Sequence, residues 1–514
     1  MSRQKAFVNA DVTTLHAAQP RAGGVLVRDG RVERLIEGVP VGLPRDVEIV
    51  DCGGAALLPG FHDCHVHLTD TGLFAGPYDM RDCADVASML RRVGELCTNQ
   101  AGSDPLYAGN FDEQLIAERR PPTRAELDRV APDRPVLLTR VDGHSSVVNS
   151  AALDALEVGA FEGVERDEPG APTGRLRAQA NAAAQNGIFA RLSDASKRAA
   201  DERAAGIALR AGITTAHNVI VGDEPLERLE AQYRSDAALP LRVISKTCST
   251  DVRKVKRLGR RVFGGDIFVD GSIGSRTAAV SHAYRDGAGE GILYFTREQL
   301  AELFDEAAEA GLSLGVHAIG DRAIEAAIAA WEAVIAKRGA LTNVRPSIDH
   351  FEIATHDQIV RAAGCGMLLS VQPAFDHLWG GPDGMYARRL GGPTASTMNL
   401  FASAKRAGCV ICGGSDSPVT PFSALLGIHA LMNHYVAAER FTAADALRAY
   451  TADAAKLSFD ERRRGVIAPS FDADFTIVES SPDAAPRESV KDLRVLMTVV
   501  AGEIRWDSNA AASN

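Results

Sequence analysis

The sequence lacks any uninterrupted apolar run of about 20 residues, the length that a membrane-spanning helix needs. Its opening stretch, MSRQKAFVNADVTTLH, also lacks the apolar core of a signal peptide. We therefore expect a protein with no membrane span, no membrane partner and a cytoplasmic location.

Basic residues are also fewer than acidic residues. The chain has 56 Lys and Arg against 67 Asp and Glu, a formal net charge of −11, and it has no long Lys/Arg run. Because nucleic acids and anionic membranes are bound through basic surfaces, this balance argues against both as partners.

Cysteines are few and mostly far apart, and Cys409 and Cys412, in CVIC, are the one closely spaced pair. Without an export signal, this pattern predicts reduced thiols rather than a disulfide framework. With 46% hydrophobic and 24% charged residues, the composition is that of a globular enzyme, and 514 residues suffice for several domains or one large barrel with additions. The eight cysteines are Cys52, Cys64, Cys83, Cys97, Cys248, Cys365, Cys409 and Cys412.

Both ends of the chain have the pattern of short β-strands. Residues 5–56 alternate apolar runs with turns, and VRDGR is an Asp-Gly hairpin signal. The far end contains ADFTIVE and then LRVLMTVVAGEIRW, in which AGE predicts a second hairpin turn. We therefore expect one small β-sandwich built from both termini, residues 1–56 and 456–514.

The middle of the chain alternates apolar strands with amphipathic helices. In TREQLAELFDEAAEAG, for example, Thr296 is placed to cap a helix and Gly311 follows its end. Such alternation is typical of a parallel sheet with crossover helices. The proposed strands are LLPGFHDCHVH, TTAHNVI, LRVISKT, DIFVDGS, LSLGVHAIG, PSIDHFE, MLLSVQP and VICGGSDS.

Eight such strands predict an α/β fold, a TIM-type (β/α)8 barrel over residues 57–455. The gap between the first and second strands is far longer than one helix requires. We therefore expect a subdomain inserted after strand 1, at about residues 69–212.

Histidines and aspartates stand where the proposed strands end, which is where such barrels carry their catalytic residues. Imidazole and carboxylate groups are natural ligands of Zn²⁺ and similar divalent ions. The pattern therefore predicts a metal centre at this end of the barrel. The strand-end residues are His65, His67, Asp266 or Asp270, His317, His350 and Asp416.

The first strand, LLPGFHDCHVH, contains three histidines that strand alternation separates. Residues i and i+2 face the same side of a strand, so His65 and His67 can both point into the barrel. His62 lies three residues before His65 and faces away, which favours a packing role. A lone histidine on an apolar strand is more often a core residue than a ligand, an interpretation that suits His217.

These motifs, taken in order, resemble the amidohydrolase superfamily, and within it the branch that includes N-substituted formamide deformylases. LLPGFHDCHVHL is similar to the opening metal motif of the family. The resemblance covers nearly the whole chain and implies a barrel, a composite β-sandwich and one or two divalent metals in the barrel mouth. Further matching blocks are DRPVLLTRVDGHSSVVNSAAL, DIFVDGSIGSRTAA, VHAIGDRAI, IDHFE, SVQP and GGSDSPV.

The resemblance also implies a role for each strand-end residue. His65 and His67 would bind the more buried metal. His317 and His350 would bind a second metal, or would serve as a ligand and a substrate-polarising catalytic group in a one-metal site. Asp416 would bind metal and act as the general base that takes a proton from a metal-activated water.

One position departs from the branch. Where the branch usually has a lysine that is carboxylated and bridges two metals, this chain has Asp266. An aspartate reaches about 5 Å less far, so it cannot bridge two metals at the usual positions unless the backbone moves inward. Asp266 would bind a metal in a modified pair, sit beside a single metal, or mark an impaired site.

Among these alternatives we favour one firmly bound divalent ion, Zn²⁺ above all, held by His65, His67, His317 and Asp416. A second metal stays open. Lys246, at the end of LRVISK, could in principle supply a carboxylated lysine from the neighbouring strand, although an ordinary or salt-bridged lysine is the stronger interpretation.

Three residues are candidates for substrate binding. Asn110 and His144 lie in the predicted insertion, in YAGNFDEQL and VDGHSSVVN, blocks that help to line the pocket in the family. Trp379 lies in HLWGGPDGM, after the seventh strand, where it would gate the mouth. A turn histidine at position 144 and a plain surface loop around position 379 are the competing interpretations.

The pattern as a whole favours a metal-dependent hydrolase of a carbon–nitrogen bond in a small amide, formamide or carbamate. A one-metal deaminase of a small cyclic or amidine-like substrate is the first alternative. A non-catalytic binding or regulatory barrel is the second, and the presence of every histidine ligand and of Asp416 argues against it. The expected partner is a small-molecule substrate, and a homo-oligomer is left open.

Overall fold

The computed structural model describes residues 4–38, 43, 46–100, 102–113, 115–141, 143, 145–222, 224–287 and 289–511. The chain forms two compact units. The larger unit comprises Met1–His67, Ala205–Asp416 and Thr420–Asn514, and the smaller unit comprises Leu68–Ala204 and Ser417–Val419. Within the described residues, none of the helices combines the length and the hydrophobicity needed to cross a membrane.

The first part of the larger unit is built from strands. They are β1 (Gln4–Val8), β2 (Asp11–Thr13), β3 (Arg21–Ala22), β4 (Gly24–Arg28), β5 (Arg31–Ile36), β6 (Glu48–Asp51), β7 (Ala56–Pro59) and β8 (Phe61–Val66).

The next part of the chain forms the smaller unit, whose five-stranded sheet has the order β12-β13-β11-β10-β9. Its elements, with the helix that leads out of it, are α1 (Leu68–Leu73), α2 (Val86–Asn99), β9 (Leu106–Phe111), α3 (Arg124–Val130), β10 (Val136–Arg140), β11 (Ser145–Val148), α4 (Ser150–Leu156), β12 (Val164–Arg166), β13 (Pro172–Arg177), α5 (Ala178–Arg191) and α6 (Asp194–Arg210).

The chain then alternates strands and helices. These elements are β14 (Ile213–Ile220), α7 (Leu226–Ala237), β15 (Arg242–Thr247), α8 (Val252–Arg257), β16 (Val262–Phe268), α9 (Arg297–Glu309), β17 (Ser313–Ala318), α10 (Asp321–Arg338), β18 (Ser347–His350), α11 (His356–Gly364), β19 (Leu368–Val371), α12 (Pro373–Trp379), α13 (Met385–Leu390), α14 (Gly392–Ala395), α15 (Phe401–Ala407) and β20 (Val410–Gly413).

The last part of the chain returns to short helices and antiparallel strands. These are α16 (Ala424–Met432), α17 (Ala443–Ala449), α18 (Ala454–Leu457), β21 (Phe475–Val478), β22 (Val495–Val500), β23 (Glu503–Asp507) and α19 (Ser508–Ala511).

Two parallel sheets of the larger unit position the candidate site. One has the order β15-β14-β8 and the other has the order β16-β17-β18-β19-β20, so the described residues contain eight strands of this kind. Beyond the end of β20, the Asp416 N–H donates to the His65 carbonyl oxygen on β8 at 2.7 Å. This bond brings the carboxyl ends of β8 and β20 together, and the fold is α/β as predicted.

Local sequence signals placed the helices and hairpins correctly. Thr296 caps α9 by accepting the Gln299 N–H, and the Gln299 side chain accepts the Thr296 N–H in return. Both predicted hairpins are confirmed: β4 and β5 are joined by Asp29 and Gly30, while β22 and β23 are joined by Ala501 and Gly502. All four turn residues have a positive φ, as tight hairpin turns require.

Strands from both termini form two further sheets, with the orders β5-β4-β1-β6 and β23-β22-β21-β7-β2-β3. One buried apolar cluster contains side chains of both sheets. Its larger members are Phe7, Val12, Val25, Val27, Val32, Leu57, Phe475, Ile477 and Val499.

The predicted strand LLPGFHDCHVH divides into two strands at Gly60. The part before it, β7, pairs with β2 and β21 in a terminal sheet, and the part after it, β8, pairs with β14. A Cβ atom at Gly60 would collide with the side chain of Thr214, so glycine is required where the chain passes from one sheet to the other. The Pro59–Gly60 pair, a dipeptide typical of chain breaks, was the sequence signal available for this division.

Candidate metal centre

Five of the predicted residues lie together at the carboxyl ends of parallel strands. His65 is near the end of β8, His67 follows that strand, Asp266 is near the end of β16, His350 ends β18 and Asp416 follows β20. All are buried except His67, whose side chain is 15% exposed. Imidazole and carboxylate groups from distant parts of the chain therefore lie close together at the carboxyl ends of these strands.

Two overlapping groups of these side chains could hold a metal ion. One consists of His65, His67 and Asp416, and the other of His65, Asp266 and His350. Within each group the candidate ligand atoms lie within 4.8 Å of one another. His65 belongs to both groups, so it is the common element of the site.

The separations between ligand atoms suit a small divalent ion. His65 Nε2 lies 3.4 Å from Asp266 Oδ1 and 3.5 Å from Asp416 Oδ1, while His67 Nε2 lies 3.1 Å from the same Asp416 oxygen. Ligand atoms of a tetrahedral zinc ion with bonds of about 2.1 Å are roughly 3.4 Å apart. The donor set and its spacing therefore fit such an ion.

Buried polar atoms without hydrogen-bond partners also indicate a metal site. Within the described part of the chain, the buried atoms His65 Nε2, Asp266 Oδ1 and Asp416 Oδ1 have no hydrogen-bond partner. Burying polar and charged atoms without partners is costly, so groups of this kind are retained where a ligand satisfies them.

The nearby aspartates create a negative potential at His65 and His67. Burial alone would lower the pKa of His65, but Asp266, Asp349 and Asp416 outweigh it and raise the pKa to about 10. The pKa of His67 rises well above its ordinary value, because Asp266 and Asp416 outweigh burial there too. A site that stabilises positive charge so strongly is suited to a cation.

Each histidine of the pair is held by its other ring nitrogen. His65 Nδ1 lies 2.7 Å from Asp349 Oδ1, and His67 Nδ1 lies 3.2 Å from the Val219 carbonyl oxygen. Because carboxylate and carbonyl oxygens only accept, both Nδ1 atoms donate, so that in the neutral ring each Nε2 has the lone pair that would bind a cation in place of a proton. Such outer contacts fix the tautomer and the orientation of histidine ligands.

Asp266 reaches both histidines because the strand before it is irregular. Its Oδ2 lies 3.2 Å from His67 Nε2. The pairing of β16 with β17 shifts register after Gly264, and Gly264 and Gly265 both have a positive φ, at 82° and 105°. Glycine is the residue that adopts this backbone, and the resulting bulge re-aims Asp266.

His317 stands beside the two groups rather than in either of them. Its Nδ1 lies 3.4 Å from Asp270 Oδ1, and its ring centroid lies 4.4 Å from that of His350. Asp270 is itself fixed, because its oxygens accept the backbone N–H groups of Ala279, Ile319 and Gly320. Of the four ligands favoured above, His65, His67 and Asp416 thus form one group and His317 lies outside it.

Unusual backbone geometry marks the ends of two strands. His350 and Asp416 have φ values of 75° and 55°, a left-handed conformation that costs a non-glycine residue about 1–3 kcal/mol. At His350 this geometry breaks strand alternation, so the consecutive residues Asp349 and His350 both contact the surroundings of His65. Strain of this kind clusters at functional sites.

Two aspartates of the site were missed by sequence reasoning. Asp349 was overlooked because alternation places it opposite His350. Asp63 accepts the N–H groups of His65 and Ser415 at 3.2 and 3.0 Å and so joins β8 to the segment after β20. The available signal was an acidic residue inside each apolar strand, in FHDCHVH and in PSIDHFE.

The three substrate candidates have different outcomes. His144 lies outside the described residues. Asn110 is buried in β9 of the smaller unit, with a φ of 66°. Trp379 ends α12, half-buried, with its ring centroid 4.9 Å from that of Phe375, which in turn lies 6.0 Å from the His350 ring. An aromatic row thus leads from His350 to Trp379.

A histidine and aspartate centre at the carboxyl ends of parallel strands defines the class of metal-dependent hydrolases. The chain belongs to the amidohydrolase family, whose profile matches residues 48–505. The protein is accordingly an enzyme, a hydrolase of carbon–nitrogen bonds.

Named relatives and a solved structure resemble the chain along nearly its whole length. N-substituted formamide deformylase of Arthrobacter pascens is 29% identical, with 98% of each chain covered. Protein LONG AFTER FAR-RED 3 of Arabidopsis thaliana is 26% identical, covering 96% of this chain and 90% of its own. The crystal structure of an uncharacterized metal-dependent hydrolase from Pyrococcus furiosus is 26% identical and superposes with a TM-score of 0.78, over 93% of this chain and 100% of its own.

Proposed function

We propose that the protein hydrolyses a carbon–nitrogen bond of a small amide, formamide or carbamate, with zinc as the metal and Asp416 as the general base. One observation carries the proposal: His65 Nε2 and His67 Nε2 lie 3.5 and 3.1 Å from the same buried Asp416 oxygen, which has no hydrogen-bond partner among the described residues. The 29% identity to a formamide deformylase supports the substrate class.

The fold that would hold this site is a closed (β/α)8 barrel. The Asp416–His65 backbone bond supports closure, because it joins β20 of one parallel sheet to β8 of the other. The smaller unit, Leu68–Ala204, would be the insertion after strand 1. The terminal sheets, with their shared apolar cluster, would form the predicted β-sandwich of residues 1–56 and 456–514, to which β7 adds the residues up to Pro59.

A single ion is the proposed stoichiometry. Both candidate groups include His65, whose Nε2 faces Asp266 and Asp416, and one imidazole nitrogen has one lone pair. An ion bound by His65, His67 and Asp416 would therefore exclude a second ion from the same nitrogen. Asp266, within 3.4 Å of both Nε2 atoms, would complete the donor set.

Asp416 and His350 would have different roles in the hydrolysis. When bound, a divalent ion polarises the scissile carbonyl and lowers the pKa of water. Asp416 would accept the proton of the attacking water and pass it to the leaving nitrogen. Burial and His317 lower the pKa of His350, so its ring is neutral near pH 7 and can donate a hydrogen bond to the carbonyl oxygen.

Deamination is the second candidate, because a one-ion site also suits the attack of water on a cyclic or amidine-like carbon. The products separate the two reactions: deamination releases ammonia from the ring, while deformylation releases formate and an amine.

The test is a product assay on zinc-loaded protein with N-substituted formamides, simple amides, carbamates and cyclic amidines. We expect formate and amine from the formamides. Replacing His65 and His67 together with alanine should remove both the zinc and the activity, whereas His356→Ala, on the exposed first residue of α11, should change neither. Zinc content unaffected by the double replacement would remove these histidines as ligands.

A further inference from the structure

We propose that Lys246 is a positioning residue for the metal centre, which it serves by fixing His65 at two points. Its Nζ donates to the carbonyl oxygen of Cys64, the residue before His65, at 3.3 Å. The same ammonium lies 3.8 Å from Asp349 Oδ1, and that oxygen lies 2.7 Å from His65 Nδ1. One cation thus contacts both the backbone that carries His65 and the carboxylate that orients its ring.

Lys246, Asp349 and His65 are all buried, so their contacts are not those of a mobile surface lysine. The Lys246 side chain is 4% exposed, and the side chains of Asp349 and His65 are 0% exposed. Lysine is almost never buried this deeply unless it is paired, because its ammonium loses all contact with water. Here the pairing group is the residue that holds the histidine common to both metal groups.

Three strands meet in this arrangement. Lys246 belongs to β15, His65 to β8 and Asp349 to β18, and β18 lies in a different sheet from the other two. A short chain of contacts therefore links the two parallel sheets directly beneath the candidate site. An ammonium that faces a carboxylate also suits an unmodified lysine rather than a carboxylated one.

Gly315 leaves the space that the Asp349 carboxylate needs. A Cβ atom at Gly315 would lie 2.7 Å from Ser347 Oγ and 3.1 Å from Asp349 Oδ2. Because Gly315 carries no side chain, the carboxylate fits between the strands without displacing its neighbours.

Without Lys246, the buried carboxylate would lose its counter-charge and the His65 ring would lose its fixed support. Outer contacts of this kind change metal affinity by about 10- to 100-fold. The inference rests on the proposed function in one respect, that His65 is a metal ligand. It adds that zinc retention depends on a lysine that touches neither the ion nor the substrate.

The test measures zinc dissociation into a chelator from wild-type protein, Lys246→Met, Asp349→Asn and the double variant. We expect about 10- to 100-fold weaker zinc binding in each single variant. The double variant should lose less than the product of the two effects, because the lysine acts partly through Asp349. The visible spectrum of the cobalt-substituted variants should also change as the ligand field at His65 changes.

Lys5→Met is the matched control, because Lys5 is a buried lysine of the terminal sheets that pairs with Glu48 and Glu503. It should leave zinc affinity unchanged. Wild-type affinity in Lys246→Met, or an equal loss in Lys5→Met, overturns the inference. If Lys246→Met does not fold, Lys246→Gln, which removes the charge but keeps a polar end group, decides by the same criterion. Zinc that survives the loss of His65 would instead overturn the proposed function.

Discussion

Asp266 Oδ2 lies 3.2 Å from His67 Nε2, and its other carboxylate oxygen lies 3.4 Å from His65 Nε2. Although aspartate is shorter than the lysine that the branch usually has at this position, its side chain lies close to both His65 and His67. The glycine bulge at Gly264 and Gly265 supplies the reach that the side chain lacks. The structure therefore places Asp266 in one of the two groups that could hold a metal ion.

The first prediction concerns the number of metal ions. Wild-type protein should bind one zinc per chain in elemental analysis, because both candidate groups share His65 and its Nε2 faces the carboxylate of each. Asp266→Asn should weaken zinc binding, since it removes a charge beside both histidines. Asp357→Asn, whose side chain is 79% exposed, should bind zinc normally. Two equivalents of zinc in the wild type would refute the one-ion proposal.

The second prediction tests the general base. Asp416→Asn should lower kcat by about 100- to 10,000-fold, the range that a positioned acid–base group contributes. Circular dichroism should stay unchanged, because asparagine has the same shape and keeps the backbone bond to His65. Zinc content must be measured alongside, since the loss of a ligand charge also weakens binding. Near-normal turnover by zinc-loaded Asp416→Asn would rule out the role.

The third prediction uses the close approach of β20 to β8. A Cβ atom at Gly414 would lie 2.7 Å from the His65 nitrogen and 3.0 Å from the His65 Cβ. Neither atom can yield without moving the strand, so Gly414→Ala should reduce both zinc affinity and activity.

Gly364→Ala serves as its control. Gly364 ends α11, and a Cβ atom there meets none of the described residues within 4 Å. Alanine favours a helix by about 0.5–1 kcal/mol over glycine, so the thermal midpoint should be equal or slightly higher. Equal zinc affinity in both glycine variants would show that the contact with His65 does not matter.

Much of the site could be predicted because its signals are local. Alternation along one strand places His65 and His67 on the same side, and both belong to one candidate group. The same rule failed at Asp349 and His350, where a left-handed φ turns two consecutive side chains toward one region. Its strand-end position and the family resemblance placed His317 in the ligand set, whereas in the structure its ring lies beside Asp270 and His350.

The sequence by itself determined the hairpins, the capped helices, the α/β class and the strand-end histidines. Each of these depends on residues a few positions apart, whose backbone conformation they set directly. Only the tertiary structure decided which sheets the two strands on either side of Gly60 join, the reach of Asp266 and the partner of His65. Asp349 is 284 residues from His65 in the chain, and no local pattern encodes a contact that strand packing alone creates.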